Sequence, residues 1–168
     1  MTIKNLTVAA LLTLAGILLG EEITTYTSVS RGYGIGVWDG IVYAGTDGGL
    51  ITYDEGEIIV FDTDDGIYKP VISEVEKDFR GKLWLGHPDC SVTVFDPVKK
   101  ASVYLDDIEQ DGVYTLNSIF SSGQYVYLAT NGLLARYKYE NDSYGYKVAE
   151  VNRMTGNARD VKVASGNI

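Results

Sequence analysis

The chain repeats itself three times with a period of a little over forty residues, and that period restricts its fold more than any other feature. The first copy runs Val37-Trp38-Asp39-Gly40-Ile41-Val42-Tyr43-Ala44-Gly45-Thr46-Asp47-Gly48-Gly49-Leu50-Ile51-Thr52-Tyr53-Asp54. The second runs from Asp78 through Gly81, Leu83-Trp84-Leu85-Gly86-His87 and Val92-Thr93-Val94-Phe95-Asp96. The third runs from Ser121 through Gly123, Tyr125-Val126-Tyr127-Leu128-Ala129-Thr130-Asn131-Gly132-Leu133 and on to Tyr137-Lys138. Tyr43, Trp84 and Tyr127 lie 41 and 43 residues apart, while Tyr53, Phe95 and Tyr137 are each separated by 42. Two landmarks thus keep one period, which a coincidental β-meander would not do.

Within each copy a glycine turn precedes an aromatic-bearing strand, a small residue follows the aromatic, and a second turn leads into another strand that ends in an aromatic. In the first copy the pattern predicts strands over Tyr33–Trp38, Ile41–Thr46, Leu50–Tyr53 and Ile58–Phe61. Turns are expected at Asp39-Gly40, at Asp47-Gly48-Gly49 and from Asp54 to Glu57. Four short strands per unit of this length describe a propeller blade. Gly45, Gly86 and Ala129 would let adjacent sheets approach closely, with the aromatics filling the wedge between them. The expected fold is therefore all-β: a partial β-propeller of about three four-stranded antiparallel blades, at about 33–68, 71–105 and 114–151, plus the start of a fourth at 159–168. Propellers close with roughly four to eight blades. The chain is accordingly expected to be a piece of a longer protein carrying the remaining blades, or else to close by self-association; the absence of a capping pattern near Ile168 favours the first.

Composition agrees, since 13 Tyr and 19 Gly against 3 Pro and 2 Met suit strands and tight turns. Charge narrows the partners. With 14 Lys plus Arg against 23 Asp plus Glu the net charge is −9, and no basic stripe is available to neutralise phosphates, so nucleic acid is not an expected partner.

Residues 1–20 read as a signal peptide: Lys4 supplies the positive start, Leu6 to Leu19 an apolar run, and Glu21-Glu22 its end. Cleavage is expected near Gly20, leaving 21–168 exported to the periplasm, cell surface or extracellular space. An uncleaved N-terminal anchor is the alternative, although the run is shorter than the ~20 apolar residues of a comfortable span. Ile17 follows Leu14-Ala15-Gly16 where a lipoprotein signal needs Cys, which disfavours lipid anchoring. Cys90 is the only cysteine, so no intrachain disulfide can form.

No catalytic, cofactor-binding or metal-ligating residue emerges. Asp62-Thr63-Asp64-Asp65-Gly66 has the carboxylate density of a calcium loop, but its Gly falls at the fifth place and Ser73 occupies the twelfth, so an acidic turn between blades is the better reading. Asp106, Asp107, Glu109 and Asp111 read as a second solvated acidic loop. His87, the lone histidine, has no partner at ligand or triad spacing and reads as a hairpin-turn residue. Cys90, three positions on, reads as a small structural residue. Gly32, Gly34 and Gly36 precede no helix that could receive a phosphate, so they suit an inner strand. Trp38, Trp84 and the tyrosines could stack on sugars or a quinone, but blade packing accounts for them more simply.

The stretch Ile41 to Asp54 resembles the two-component-regulator propeller repeat, whose pattern is aromatic, any, Gly-Thr, any, Gly-Gly-Leu, then aromatic-Asp. The second copy keeps Leu83-Trp84-Leu85-Gly86 and Phe95-Asp96 but has His87-Pro88-Asp89-Cys90 in place of the turn. The third keeps Tyr127, Thr130-Asn131-Gly132-Leu133 and Tyr137, with Ala129 for Gly and Lys138 for Asp. This resemblance, over about residues 33 to 168, implies a periplasmic or extracellular sensor or scaffold propeller of seven-bladed type, as in hybrid sensor kinases and secretion-system accessory proteins. It carries no catalytic residues. The expected function is a non-catalytic binding, sensing or scaffold module for a protein, peptide or glycan, with no cofactor. The alternatives are a blade fragment of a quinoprotein-dehydrogenase-like or glycan-active enzyme, and a structural component of cell-surface secretion machinery.

Overall fold

A computed structural model describes residues 29–106, 115–140, 146–153 and Arg159. The signal peptide expected at 1–20, the acidic run from Asp107 to Asp111 and all but the first residue of the fourth-blade start expected at 159–168 lie outside the described residues. Among these residues twelve strands form three separate four-stranded antiparallel sheets, each a simple meander. Blade 1 holds β1 (Gly32–Trp38), β2 (Ile41–Thr46), β3 (Leu50–Asp54) and β4 (Glu57–Phe61). Blade 2 holds β5 (Glu74–Lys77), β6 (Leu83–Gly86), β7 (Val92–Asp96) and β8 (Ala101–Leu105). Blade 3 holds β9 (Leu116–Ser122), β10 (Tyr125–Thr130), β11 (Leu133–Tyr139) and β12 (Tyr146–Arg153). The partial propeller of three four-stranded blades is thus what the chain forms.

Local chemistry sets the hairpins. Asp39 (φ 56°) with Gly40 (φ 84°), and Glu55 (φ 46°) with Gly56 (φ 98°), place two successive residues at positive φ, the two-residue turn whose twist matches its flanking strands. At the opposite end of blade 1, Thr46 Oγ1 donates to the Gly49 carbonyl at 2.8 Å and accepts from Gly48 N–H at 3.1 Å. Blade 3 repeats this clasp: Thr130 Oγ1 donates to the Leu133 carbonyl and accepts from the N–H groups of Gly132 and Leu133.

Each blade has one face toward its predecessor and one toward its successor, and strand alternation assigns every side chain to one of them. The successor face of blade 1 (Tyr43, Leu50, Phe61) and the connecting residues Ile67 and Ile72 cover the predecessor face of blade 2 (Val75, Leu83, Leu85, Phe95). The successor face of blade 2 (Trp84, Val92, Val94, Leu105) meets Ile119, Val126, Leu128, Ala135 and Tyr137 of blade 3. Aromatic landmarks make both joints: Phe61 meets Phe95 edge-on at 5.3 Å between ring centres, and Trp84 meets Tyr137 at 5.5 Å.

The small residues act as the repeat implies. A Cβ on Gly45 would stand 2.7 Å from the Ile72 carbonyl oxygen, and one on Gly86 would stand 2.2 Å from Leu116 Cδ2. The inner strands touch in the same way, a Cβ on Gly34 meeting Glu74 Cα at 2.8 Å. Equivalence stops at one landmark. Phe95 and Tyr137 are 0% and 1% exposed, whereas Tyr53 is 47% exposed, because the predecessor face of blade 1 has no sheet against it among the described residues.

Candidate functional site

The three inner strands β1, β5 and β9 lie side by side, and each ends in a tight turn at the same end of the molecule. There they enclose an open cleft of about 510 Å³, reached by Val37, Trp38 and Asp39 of blade 1, Lys77, Asp78 and Phe79 of blade 2, and Ser121 and Gly123 of blade 3. Two exposed apolar side chains stand on its rim, Val37 at 61% and Phe79 at 56%. Trp38 lies back over its own strand and meets Tyr43 at 5.6 Å. Any Cβ on Gly36 would fall within 2.0 Å of the Trp38 indole, so this glycine is what lets the ring lie there.

The cleft's polar groups sit on the turns. Lys77 donates to Asp39, tying the blade 1 turn to the end of the blade 2 inner strand. Asp78 is buried and accepts from Arg80 N–H (2.8 Å), Lys82 N–H (3.0 Å), Arg80 Nη2 (3.1 Å) and Trp84 Nε1 (3.2 Å), which fixes the turn that presents Phe79. Phe79 also packs edge-on against Tyr139 of blade 3 at 5.7 Å, and the Arg80 guanidinium lies over the same Tyr139 ring at 4.2 Å. On the inner strand, Glu76 Oε1 accepts from Ser121 N–H at 3.0 Å. Burial pushes the Glu76 carboxyl up, against the opposing pull of that hydrogen bond. The arrangement offers two aromatic surfaces, an exposed carboxylate and a hydroxyl, which can hold a ligand by stacking and hydrogen bonding.

Of the residues weighed for chemistry, Trp38 borders the cleft, whereas His87, Cys90, Trp84 and the Asp62–Gly66 segment lie elsewhere. His87 is fully buried at the opposite end, its Nδ1 2.8 Å from the Val71 carbonyl and its Nε2 2.8 Å from Thr93 Oγ1. A carbonyl only accepts, so Nδ1 carries the proton and Nε2 accepts from Thr93. Burial pulls its pKa below the ordinary value, with the Val71 carbonyl opposing. His87 therefore clamps the loop between blades 1 and 2 where the other blades use a threonine clasp. Beside it, Lys69 bonds to Asp89 and, at 3.1 Å, to Ser91 Oγ. Cys90 is buried in the core between blades 2 and 3, in the left-handed region at φ 70°.

The Asp62–Gly66 segment is a single 3-10 turn in which the Asp62 and Asp65 carboxylates act as caps. Asp62 accepts from Asp64 N–H, Asp65 accepts from Asp62 N–H, and Asp65 also binds Lys100. Among the described residues no three His, Cys, Asp or Glu side chains group as a metal site, and no helix is long and apolar enough to cross a membrane. Gly32, Gly34 and Gly36 lie on an inner strand, and Trp84 is wholly inside the core.

Sequence reasoning did not single out Val37, Lys77, Phe79 or Ser121 for this site. The signal available was positional: Val37, Lys77 and Ser121 occupy equivalent places at the end of the first strand of successive repeats.

No protein-family model matches the chain, and no curated protein matches it. Solved structures do. The extracellular domain of a hybrid two-component system from B. thetaiotaomicron superposes with a TM-score of 0.57 at 17% identity, over 79% of this chain. PorZ, a surface component of the type-IX secretion system of Porphyromonas gingivalis, superposes with a TM-score of 0.54 at 13% identity, over 76% of this chain. The likeness is one of fold: an open arc of propeller blades. The chain spans about a fifth of the length of these two proteins, 18% and 23% respectively.

Proposed function

We propose that this chain is part of an exported, non-catalytic propeller module that binds a glycan or peptide in the cleft at the turn ends of its inner strands. The observation that carries this reading is the convergence of three repeats on one aromatic-rimmed cleft, with Phe79 held exposed by a buried Asp78. A planar aromatic face beside a carboxylate and a hydroxyl suits a sugar ring or an aromatic peptide side chain. Export rests on the apolar N-terminal segment and on the likeness to an extracellular sensor domain and a surface secretion component. A sensing or scaffold role, in the manner of the two-component-regulator propellers that the repeat resembles, follows as the finer reading.

The test is a titration with a panel of neutral oligosaccharides and short peptides, followed by fluorescence. Trp38 borders the cleft and Trp84 is fully buried, so a change reports mainly Trp38. A saturable change with at least one probe, lost in Phe79→Ala and in Asp39→Ala, is expected. No response to any probe, or binding that both variants retain, refutes the cleft as the site. Export is checked separately by fractionating cells and sequencing the mature N-terminus, which should begin near Glu21.

A further inference from the structure

The outer edge of blade 1 is a bare β-strand. Because β1, β5 and β9 lie side by side on the inside of the arc, β4 is the outermost strand of its blade, and among the described residues no strand pairs with its far side. An outer edge points away from the ring whatever number of blades completes it, so this exposure does not depend on the rest of the protein. The two-residue turn makes Asp54 and Glu57 a hydrogen-bonded pair, and such pairs alternate, so Thr52–Ile59 and Leu50–Phe61 are bonded as well. The N–H and C=O groups of Ile58 and Val60 therefore point outward. Every residue from Tyr53 to Val60 is exposed, with Ile58, Ile59 and Val60 at 65%, 44% and 41%. Edge strands are ordinarily protected by Lys or Pro. Pro97, Lys99 and Lys100 precede β8, and β12 contains Lys147 and Arg153, but β4 has neither device.

We propose that β4 is a second binding site, separate from the cleft, which takes an extended peptide of apolar residues flanked by lysine or arginine and adds it to blade 1 as a fifth strand. Charge selects this occupant. No Lys or Arg occurs between Arg31 and Lys69, and that span holds eight Asp and Glu. Six of them bracket the edge: Asp54, Glu55 and Glu57 where β4 begins, and Asp62, Asp64 and Asp65 just after it ends. Asp62 and Asp65 are engaged as caps and Asp65 also binds Lys100, whereas Asp54, Glu55, Glu57 and Asp64 are exposed. An incoming strand exchanges main-chain hydrogen bonds with Ile58 and Val60, lays an apolar side chain beside Ile59, and brings a cation to the carboxylates at each end. The backbone pairing supplies the affinity, and the carboxylates choose among strands.

The test follows amide hydrogen exchange of the whole chain by NMR with the peptide acetyl-Lys-Thr-Val-Thr-Val-Thr-Lys-amide, beside the same peptide with Glu at both ends. The amides of Ile58 and Val60, open in the free protein, should become slow to exchange with the lysine peptide, while those of Glu57, Ile59 and Phe61, already paired to β3, change little. The glutamate peptide should bind about tenfold more weakly at low salt, and the difference should close as salt is raised. Glu55→Lys combined with Glu57→Lys should reverse the preference. Val60→Pro, which removes only an outward N–H, should abolish binding with an unchanged circular dichroism spectrum. Ile58→Lys, a solvent-facing change that needs no proline, should weaken the lysine peptide by about tenfold. No binding at millimolar peptide, equal binding of both peptides at low salt, or binding that leaves the Ile58 and Val60 amides open overturns the proposal. Slow exchange of these two amides in concentrated protein alone, which would mean that a second copy pairs along β4, overturns it too.

Discussion

Replacing Gly45 by Ala tests whether blade 2 presses on blade 1 as closely as described. The added methyl would sit 2.6 Å from Ile72 Cγ2 and 2.7 Å from the Ile72 carbonyl oxygen. That oxygen is held by backbone, because Ile72 N–H donates to the Thr46 carbonyl at 2.8 Å. Relief therefore requires moving the connection between blades. Overpacking of this kind costs about 1–3 kcal/mol, while the stiffer alanine backbone returns about 0.5–1 kcal/mol, leaving a net loss of ~1–2 kcal/mol. Gly86→Ala is the internal comparison. Its methyl would meet the tips of Leu116 (2.2 Å) and Ile119 (2.9 Å), which can turn aside, so its net loss should be smaller, below about 1 kcal/mol. Urea unfolding should show a lower midpoint for Gly45→Ala at an unchanged slope. For a chain of this size the melting temperature should fall by about 2–4 °C per kcal/mol. Equal stability of Gly45→Ala and the parent protein, or a larger loss for Gly86→Ala, would refute the close joint at Ile72.

The remaining tests address the buried groups. His87 is held neutral below its ordinary pKa, so the unfolded chain takes up the proton first: stability present above about pH 6.5 falls as pH drops through that value. His87→Ala should lose about 1–3 kcal/mol at pH 8 from its two unmet partners and flatten the difference between pH 8 and pH 5; an unchanged slope would count against the clamp. Glu76 has the opposite sign, its pKa being raised, so its charge penalises folding near neutrality and the penalty disappears below about pH 4.5. Glu76→Gln, whose amide oxygen can still accept from Ser121, should match or exceed the parent at pH 7 and lose that advantage in acid; clear destabilisation at pH 7 would contradict this. Trp84→Ala should lose about 3–5 kcal/mol by chemical denaturation, since the ring is fully buried against Tyr137; a loss below 1 kcal/mol would remove Trp84 from the joint.

The fold is legible in the sequence wherever its signal repeats. Asp39-Gly40 and the turn from Asp54 to Glu57 announce their hairpins locally, and the paired aromatics announce the joints through their spacing. The cleft is not legible in this way. Val37, Lys77 and Ser121 are equivalent positions carrying three different chemistries, and only the packing of three inner strands brings them together. His87 shows a second limit: its place in a turn follows from the pattern, but its bond to the Val71 carbonyl depends on how the connection from the preceding blade is threaded past it. Tyr53 shows a third, since an identical repeat position is core or surface according to whether a neighbouring blade lies against it.

The central claim is that these repeats are separate blades packed face to face, with inner strands adjacent, and not one continuous sheet. Proton NOEs between inner strands test it directly. The account predicts contacts from Gly34 to Glu74 and from the Trp84 ring to the Tyr137 ring, with no backbone pairing between β4 and β5. A ladder of cross-strand NOEs joining Glu57–Phe61 to Glu74–Lys77 would contradict it.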